Sequence, residues 1–312
     1  MANIAPAPVG TPEPASSDQL VEFGVEAASQ SRRVLRRFLR HKLAVASSII
    51  LLILVLASFF GGSIARYSYL DQSRTALSSP PSLDHWFGTD TIGHDTFAQV
   101  LRGARRSLMV AFLVAALSTT FGALVGALAG YYRGWIETLL MRLTDLFLTI
   151  PTIAVLLLVA SRYRDDNGNW LALSFVIAGL AWMPLARVVR GIFLSLRERE
   201  FVEAARALGA TDRRIIVRHL VPNSLGPIIV NATLLIGVAI ITETALSFLG
   251  FGIAKPDTSL GRLVAEGAVA SRTRWWLFYL PGLYLVLISL CINFVGDGLR
   301  DAIDPQQKRI RA

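Results

Sequence analysis

Six apolar runs constrain this chain more than any other feature: about Leu43 to Ile64, Leu108 to Tyr131, Leu139 to Ala160, Trp170 to Val189, Leu225 to Leu249 and Leu277 to Val295. A bilayer's hydrocarbon core, roughly 30 Å thick, is crossed by about 20 residues of helix, and each run has about that length. The expected fold is therefore an all-α polytopic membrane protein with about six transmembrane helices. Composition agrees: 53% of the residues are hydrophobic and only 17% charged, more apolar than a soluble domain of 312 residues needs for its core.

Charge sets the expected orientation. Residues 1–31 are rich in Ala, Pro, Ser and Glu with no apolar period, which predicts a disordered cytoplasmic tail. The basic block Arg32, Arg33, Arg36, Arg37, Arg40 and Lys42 then leads into the first apolar run. That run reaches spanning length and continues into Arg66, so it reads as an uncleaved first span and not as a secretory signal. With the N-terminus inside, twenty of the 31 Lys and Arg residues fall on inner segments, against eleven outside. Both termini and the segment 200–223 are thus expected in the cytoplasm. The formal charge of +9 is accounted for by this topology, and no nucleic-acid partner is expected. The expected divisions are the tail 1–31; a segment 32–79 holding the basic block, first span and start of an outer loop; a core 80–305 with five spans; and a cytoplasmic C-terminal tail, 306–312.

Smaller features refine the spans. Gly122, Gly126 and Gly130, four apart, let another helix approach closely, either within this chain or from a partner. Pro151 and Pro184 remove backbone donors and are expected to bend the third and fourth spans. Cys291 is the only cysteine and lies in an apolar run, which excludes a disulfide framework and a thiol metal cluster and leaves packing as its role.

The segment from Glu200 to Asn223 is polar, with helical periodicity. Phe201, Ala204, Ala205 and Leu208 fall at i, i+3, i+4 and i+7, so a helix places them on one face with Glu203 elsewhere on its circumference. Gly209 is expected to close that helix, Thr211 and Asp212 to cap a second one, and Pro222 to stop it. The spacing of Glu203-Ala204-Ala205, Gly209 and Pro222 between two spans resembles the EAA loop of ATP-binding-cassette import permeases. Three further stretches resemble the dipeptide, oligopeptide and nickel branch of that family: His85 to Asp90 with Gly93 and Asp95, Gly103 to Leu108, and Ala245 to Gly252. Gly296 to Asp301, Asp304-Pro305, and His219 with Asn223 flanking Pro222 resemble it as well. Trp86, His94 and Gln99 depart from that pattern. The likeness covers roughly 80–305 and best fits the second, C-type permease of a heteromeric pair.

The resemblance implies a permease subunit of an ATP-driven importer for short peptides in the bacterial cytoplasmic membrane. It further implies a second permease, two ATPase subunits that carry the ATP and Mg, and an extracytoplasmic substrate-binding protein. Phe201, Ala204, Ala205 and Leu208 would supply apolar contact to the ATPase, Glu203 a polar one, and Gly209 the turn. Nickel or another small solute is the alternative cargo. No phosphate loop of the form GxxxxGK[ST] and no Ser/His/Asp nucleophilic set is recognisable, so no catalytic residue and no bound cofactor are expected in this chain.

Other candidates carry a structural reading beside a functional one. His85 and His94, among Asp84, Asp90 and Asp95, have metal-ligand chemistry. Neither has the helical partner of a zincin, however, and the glycines favour a turn-rich structural segment, so no metal is expected. Glu243, inside the fifth run, either lines a translocation path or fixes span packing by hydrogen bonding, and the second is favoured. Asp145 has Arg142 as its expected partner at i−3. Ser259 to Ala270 is expected to form a short amphipathic helix outside, with Trp275 and Trp276 anchoring the last span at the interface. An ion-coupled secondary transporter would show midplane charges or an inverted repeat, and neither is evident. A channel or scaffold subunit would leave the 200–223 loop unexplained.

Overall fold

The computed structural model describes residues 30–162 and 170–303. The expected N-terminal tail through residue 29, the C-terminal tail with Asp304 and Pro305, and Arg164 lie outside the described residues. Among those residues the regular elements are helices, and the extended pairing is confined to two isolated bridges, Gln72 with His94 and Thr89 with Asp95. In chain order the helices are α1 (Gln30–Phe38), α2 (Lys42–Phe60), α3 (Thr96–Tyr132), α4 (Gly134–Thr149), α5 (Thr152–Arg162) and α6 (Trp170–Ala181). They continue as α7 (Met183–Arg197), α8 (Glu200–Ala207), α9 (Asp212–Ile215), α10 (Val221–Phe248), α11 (Leu260–Ala268) and α12 (Trp276–Ile303).

Four continuous helical segments are long and apolar enough to span: Lys42–Ser63, Thr96–Tyr132, Asp212–Phe248 and Trp276–Ile303. The other two expected spans are broken pairs. α4 and α5 meet at 82° and α6 and α7 at 43°, so there are six spans only if each bent pair is one. The breaks have local causes. Ile150 precedes Pro151, and proline pushes its predecessor into the extended conformation seen there, ψ 134°. Pro184 sits in the first turn of α7, where a missing N–H leaves no helical bond unmade.

α3 is the centre of the bundle. It has 37 residues, far more than its apolar run, because Asp95 caps it early: the Asp95 Oδ1 accepts from the Ala98 N–H at 2.8 Å. Its polar first turns were invisible to hydropathy. Val100, Ala104, Leu108, Ala111 and Val114 of α3 form a common core with Leu173 and Ile177 of α6, Ile240 and Leu246 of α10, and Ile288 and Ile292 of α12. On its other side the glycine stripe receives α7. A Cβ at Gly122 would stand 2.7 Å from the Trp182 carbonyl, and one at Gly130 2.7 Å from that of Arg190. The close approach is therefore made within this chain.

Two expectations about side chains are corrected. Asp145 pairs with Arg187 of α7 and not with Arg142, because α4 lies alongside α7, where Glu137 likewise pairs with Arg190. Trp276 is not an interfacial anchor: it is buried and its indole N–H donates to the Thr89 carbonyl at 3.2 Å, while Trp275 stays exposed. α11 forms as expected, capped by Ser259, whose Oγ accepts from the Arg262 N–H at 3.1 Å.

Candidate functional site: an exposed helical loop and its anchorage

At the end of the bundle where α3 and α7 finish, the chain turns out into α8. The amphipathicity of this helix is real, but its faces differ from expectation. Val202 and Ala205 point inward, onto a cluster formed by Tyr131, Leu185, Val189, Phe193, Ile215 and Leu220. Ala205 is thus an anchor and not part of an outward apolar face. Phe201, Glu203, Ala204 and Leu208 are exposed, with Leu208 88% accessible. Val202 was missed because a single buried valine on an eight-residue helix carries no periodicity of its own.

The turn closes as expected. Gly209 has φ +78°, the Ala210 N–H donates to the Ala205 carbonyl at 3.0 Å, and the Gly209 N–H donates to the Arg206 carbonyl at 2.9 Å. This pair of bonds is a Schellman closure, which needs a left-handed residue at that position. Thr211 precedes α9 as its N-cap residue, although its side chain makes no capping bond. Asp212 instead accepts from the Tyr131 hydroxyl at 2.6 Å, tying the loop to the last turn of α3. Arg197 donates to the Tyr131 carbonyl, and Arg133 pairs with Glu198 at 2.6 Å. The first of these ties holds the loop to α3, and the other two hold α3 to the end of α7 from which the loop departs.

Pro222 does not stop the second helix. Ile216–Leu220 is a π-helical turn leading from α9 into α10, and Pro222 occupies the first turn of α10. The wider π turn accommodates a proline that would break an α-helix interior. His219 and Asn223 lie together, the Asn223 amide donating to the His219 carbonyl at 2.6 Å, and the His219 ring is 6.4 Å from that of Phe201.

Glu243 lies elsewhere, fully buried between α3, α10 and α11. Its carboxylate accepts from Ser107 Oγ at 3.0 Å and Ser247 Oγ at 2.7 Å, Ser247 reaches Ser259 at 3.2 Å, and the Leu260 N–H donates to Ser107 at 3.2 Å. In this conformation it faces serines and not an opening, the arrangement of a packing tie. Glu243→Gln keeps the shape but changes which atoms donate and accept towards Ser107 and Ser247, a loss of about 1–3 kcal/mol. The expected result is a lower unfolding temperature of the purified assembly with uptake per assembled molecule preserved. Uptake that changes with the cargo would instead assign Glu243 to the path.

His85 and His94 are each held by a carboxylate, His85 by Asp95 at 2.8 Å and His94 by Asp90 at 2.9 Å. Among the described residues no three His, Cys, Asp or Glu side chains are grouped to hold a metal. Of the other positions that depart from the branch pattern, Gln99 donates to the Tyr69 carbonyl at 2.7 Å and Trp86 packs edge-on against Phe97.

The structure is thus a helical bundle with broken spans that carries a short exposed helix, closed by glycine, between two of them. The chain belongs to the family of binding-protein-dependent transport system inner membrane components, whose model matches residues 122–309. Residues 29–81 match the N-terminal transmembrane domain of oligopeptide transport permease C. The oligopeptide transport system permease protein OppC of Mycobacterium tuberculosis is 45% identical over 286 residues, 92% of this chain and 98% of that protein. The dipeptide transport system permease protein DppC of Alkalihalophilus pseudofirmus is 36% identical over 302 residues, 96% of this chain and 97% of that one. In fold the chain resembles a chain of the MetNI methionine ABC transporter in an inward-facing conformation, with a TM-score of 0.55 at 21% identity over 66% of this chain and 96% of that one.

Proposed function

We propose that this chain is a membrane-spanning subunit of an ATP-driven importer of short peptides, and that the exposed face of α8 is where a separate ATPase subunit seats. The observation that carries the coupling role is the pair of opposed faces on α8: Val202 and Ala205 fasten it to the bundle, while Phe201, Ala204 and Leu208 remain uncovered. A soluble eight-residue helix gains nothing from exposing Phe and Leu, whereas a docking helix needs such anchors. Glu203 adds a polar contact, Gly209 sets the angle of the turn, and Pro222 begins α10 at the loop's far end. ATP and Mg are held by two ATPase subunits outside this chain, and their closure moves α8 as a rigid lever on α3 and α7. A second permease completes the path, and an extracytoplasmic binding protein delivers cargo. Both termini and the loop lie on the cytoplasmic side, as the distribution of Lys and Arg favours.

The peptide cargo rests on the oligopeptide and dipeptide transport relatives. It is tested by uptake of a labelled dipeptide and a labelled pentapeptide in cells with and without this chain: loss of either on deletion supports it, and unchanged uptake of both points to nickel or another solute. Leu208→Asp checks the docking face. At so exposed a position the substitution changes stability by only about 0.5 kcal/mol, yet a charge enclosed in an apolar interface disfavours the complex about tenfold or more. The ATPase subunits should no longer co-purify with the variant, while its own yield is unchanged.

A further inference from the structure

α2 is apolar over 19 residues, roughly 28 Å of helix, so its two ends mark the two faces of the hydrocarbon core. At the end away from α8, the Arg105 guanidinium lies over the Phe59 ring, 5.4 Å from its centroid. That contact fixes Arg105 at the level where headgroups begin. Arg105 is one of three arginines on one face of α3, at i, i+3 and i+4. Arg102 and Arg106 share the single carboxylate of Asp257. Arg105 is exposed and, among the described residues, forms no ion pair with a carboxylate.

Beside it lies a hollow of about 160 Å³ between the end of α2 and the first turns of α3, lined by Phe59, Tyr67, Ser68, Tyr69, Arg102 and Arg105 among others. Arg102 stacks over Tyr69 at 4.7 Å, which holds one wall in place. Arginine with tyrosine at the edge of a bilayer is the chemistry of a phosphate ester: the guanidinium fork matches phosphate oxygens, and the phenol rings suit the interface. Ile53, Leu56 and Phe60 leave an exposed apolar stripe on α2 leading up to this level. We propose that the hollow seats the phosphate of one membrane phospholipid, held by Arg105, with the acyl chains along that stripe. The occupied site neutralises the charge of Arg105, which no carboxylate among the described residues pairs, and it braces α2 against α3.

The test is native mass spectrometry of the intact, detergent-purified transporter assembly, with phosphatidylglycerol added in one arm, phosphate-free diacylglycerol in another and inorganic phosphate in a third. The wild type should retain phosphatidylglycerol and not diacylglycerol, and Arg105→Gln should weaken retention about tenfold, the worth of one charge-assisted contact. Arg66→Gln, whose guanidinium is already paired with Asp84 at 2.7 Å, should leave retention unchanged. Equal retention in Arg105→Gln overturns the site, and displacement of the lipid by millimolar inorganic phosphate overturns the lipid as its occupant. A photo-crosslinking residue at position 68, exposed on the wall of the hollow, reads the same site in a folded chain with Arg105 in place. A lipid adduct is expected, and an adduct with a neighbouring protein chain overturns the proposal.

Discussion

Gly209→Val is expected to abolish ATP-driven uptake while leaving the chain inserted and folded. The residue has φ +78°, and a β-branched side chain there is strained by about 1–2 kcal/mol whatever space surrounds it. Space is in fact ample, since nothing lies within 4 Å of where a Cβ would be. The variant therefore relieves strain by rotating the turn, not by unpacking the bundle, and the turn is what aims α8. Gly209→Asn is the control, because asparagine enters the left-handed region readily. Uptake near wild type in Asn and at background in Val, with equal amounts of both chains in the membrane, is the expected pattern. Uptake retained in Val counts against the rigid lever.

Gly126→Leu is expected to have the opposite character, a loss of the fold itself. A Cβ at Gly126 would press on the Ala186 carbonyl and stand 2.8 Å from Val189 Cβ, so α3 and α7 must separate to admit it. Overpacking of this kind costs about 1–3 kcal/mol where neighbours can yield, and more where, as here, backbone is struck. The measurement is the unfolding temperature and yield of the purified chain, both expected to fall sharply. Gly191 on α7, with nothing within 4 Å, serves as the comparison: Gly191→Ala should leave both unchanged or slightly raised.

These two glycines show what was legible in the sequence. The Gly209 turn and the Gly122, Gly126 and Gly130 stripe were readable because glycine enters a left-handed turn at least cost and alone lets a helix meet a neighbouring backbone. Span positions were readable because lipid demands long apolar helices. Their true lengths were not, since hydropathy does not register the polar turns of α3, and a π turn lets α9 run into α10 through Pro222. Which way α8 faces was hidden as well: Ala204 and Ala205 are chemically alike, and only packing on Tyr131 and Phe193 distinguishes them. The partner of Asp145 and the tie from Tyr131 to Asp212 are long-range contacts that no local spacing encodes.

The most direct test of the central claim is photo-crosslinking from position 208 in membranes that contain the whole assembly. Leu208 is the most exposed apolar side chain of the loop region, and in the proposed assembly it lies against an ATPase subunit. A crosslink from position 208 to the ATPase, absent when the probe is moved to position 202 beneath α8, is the expected result. Crosslinks from position 208 only to lipid or to this chain would contradict the docking of the ATPase on this loop.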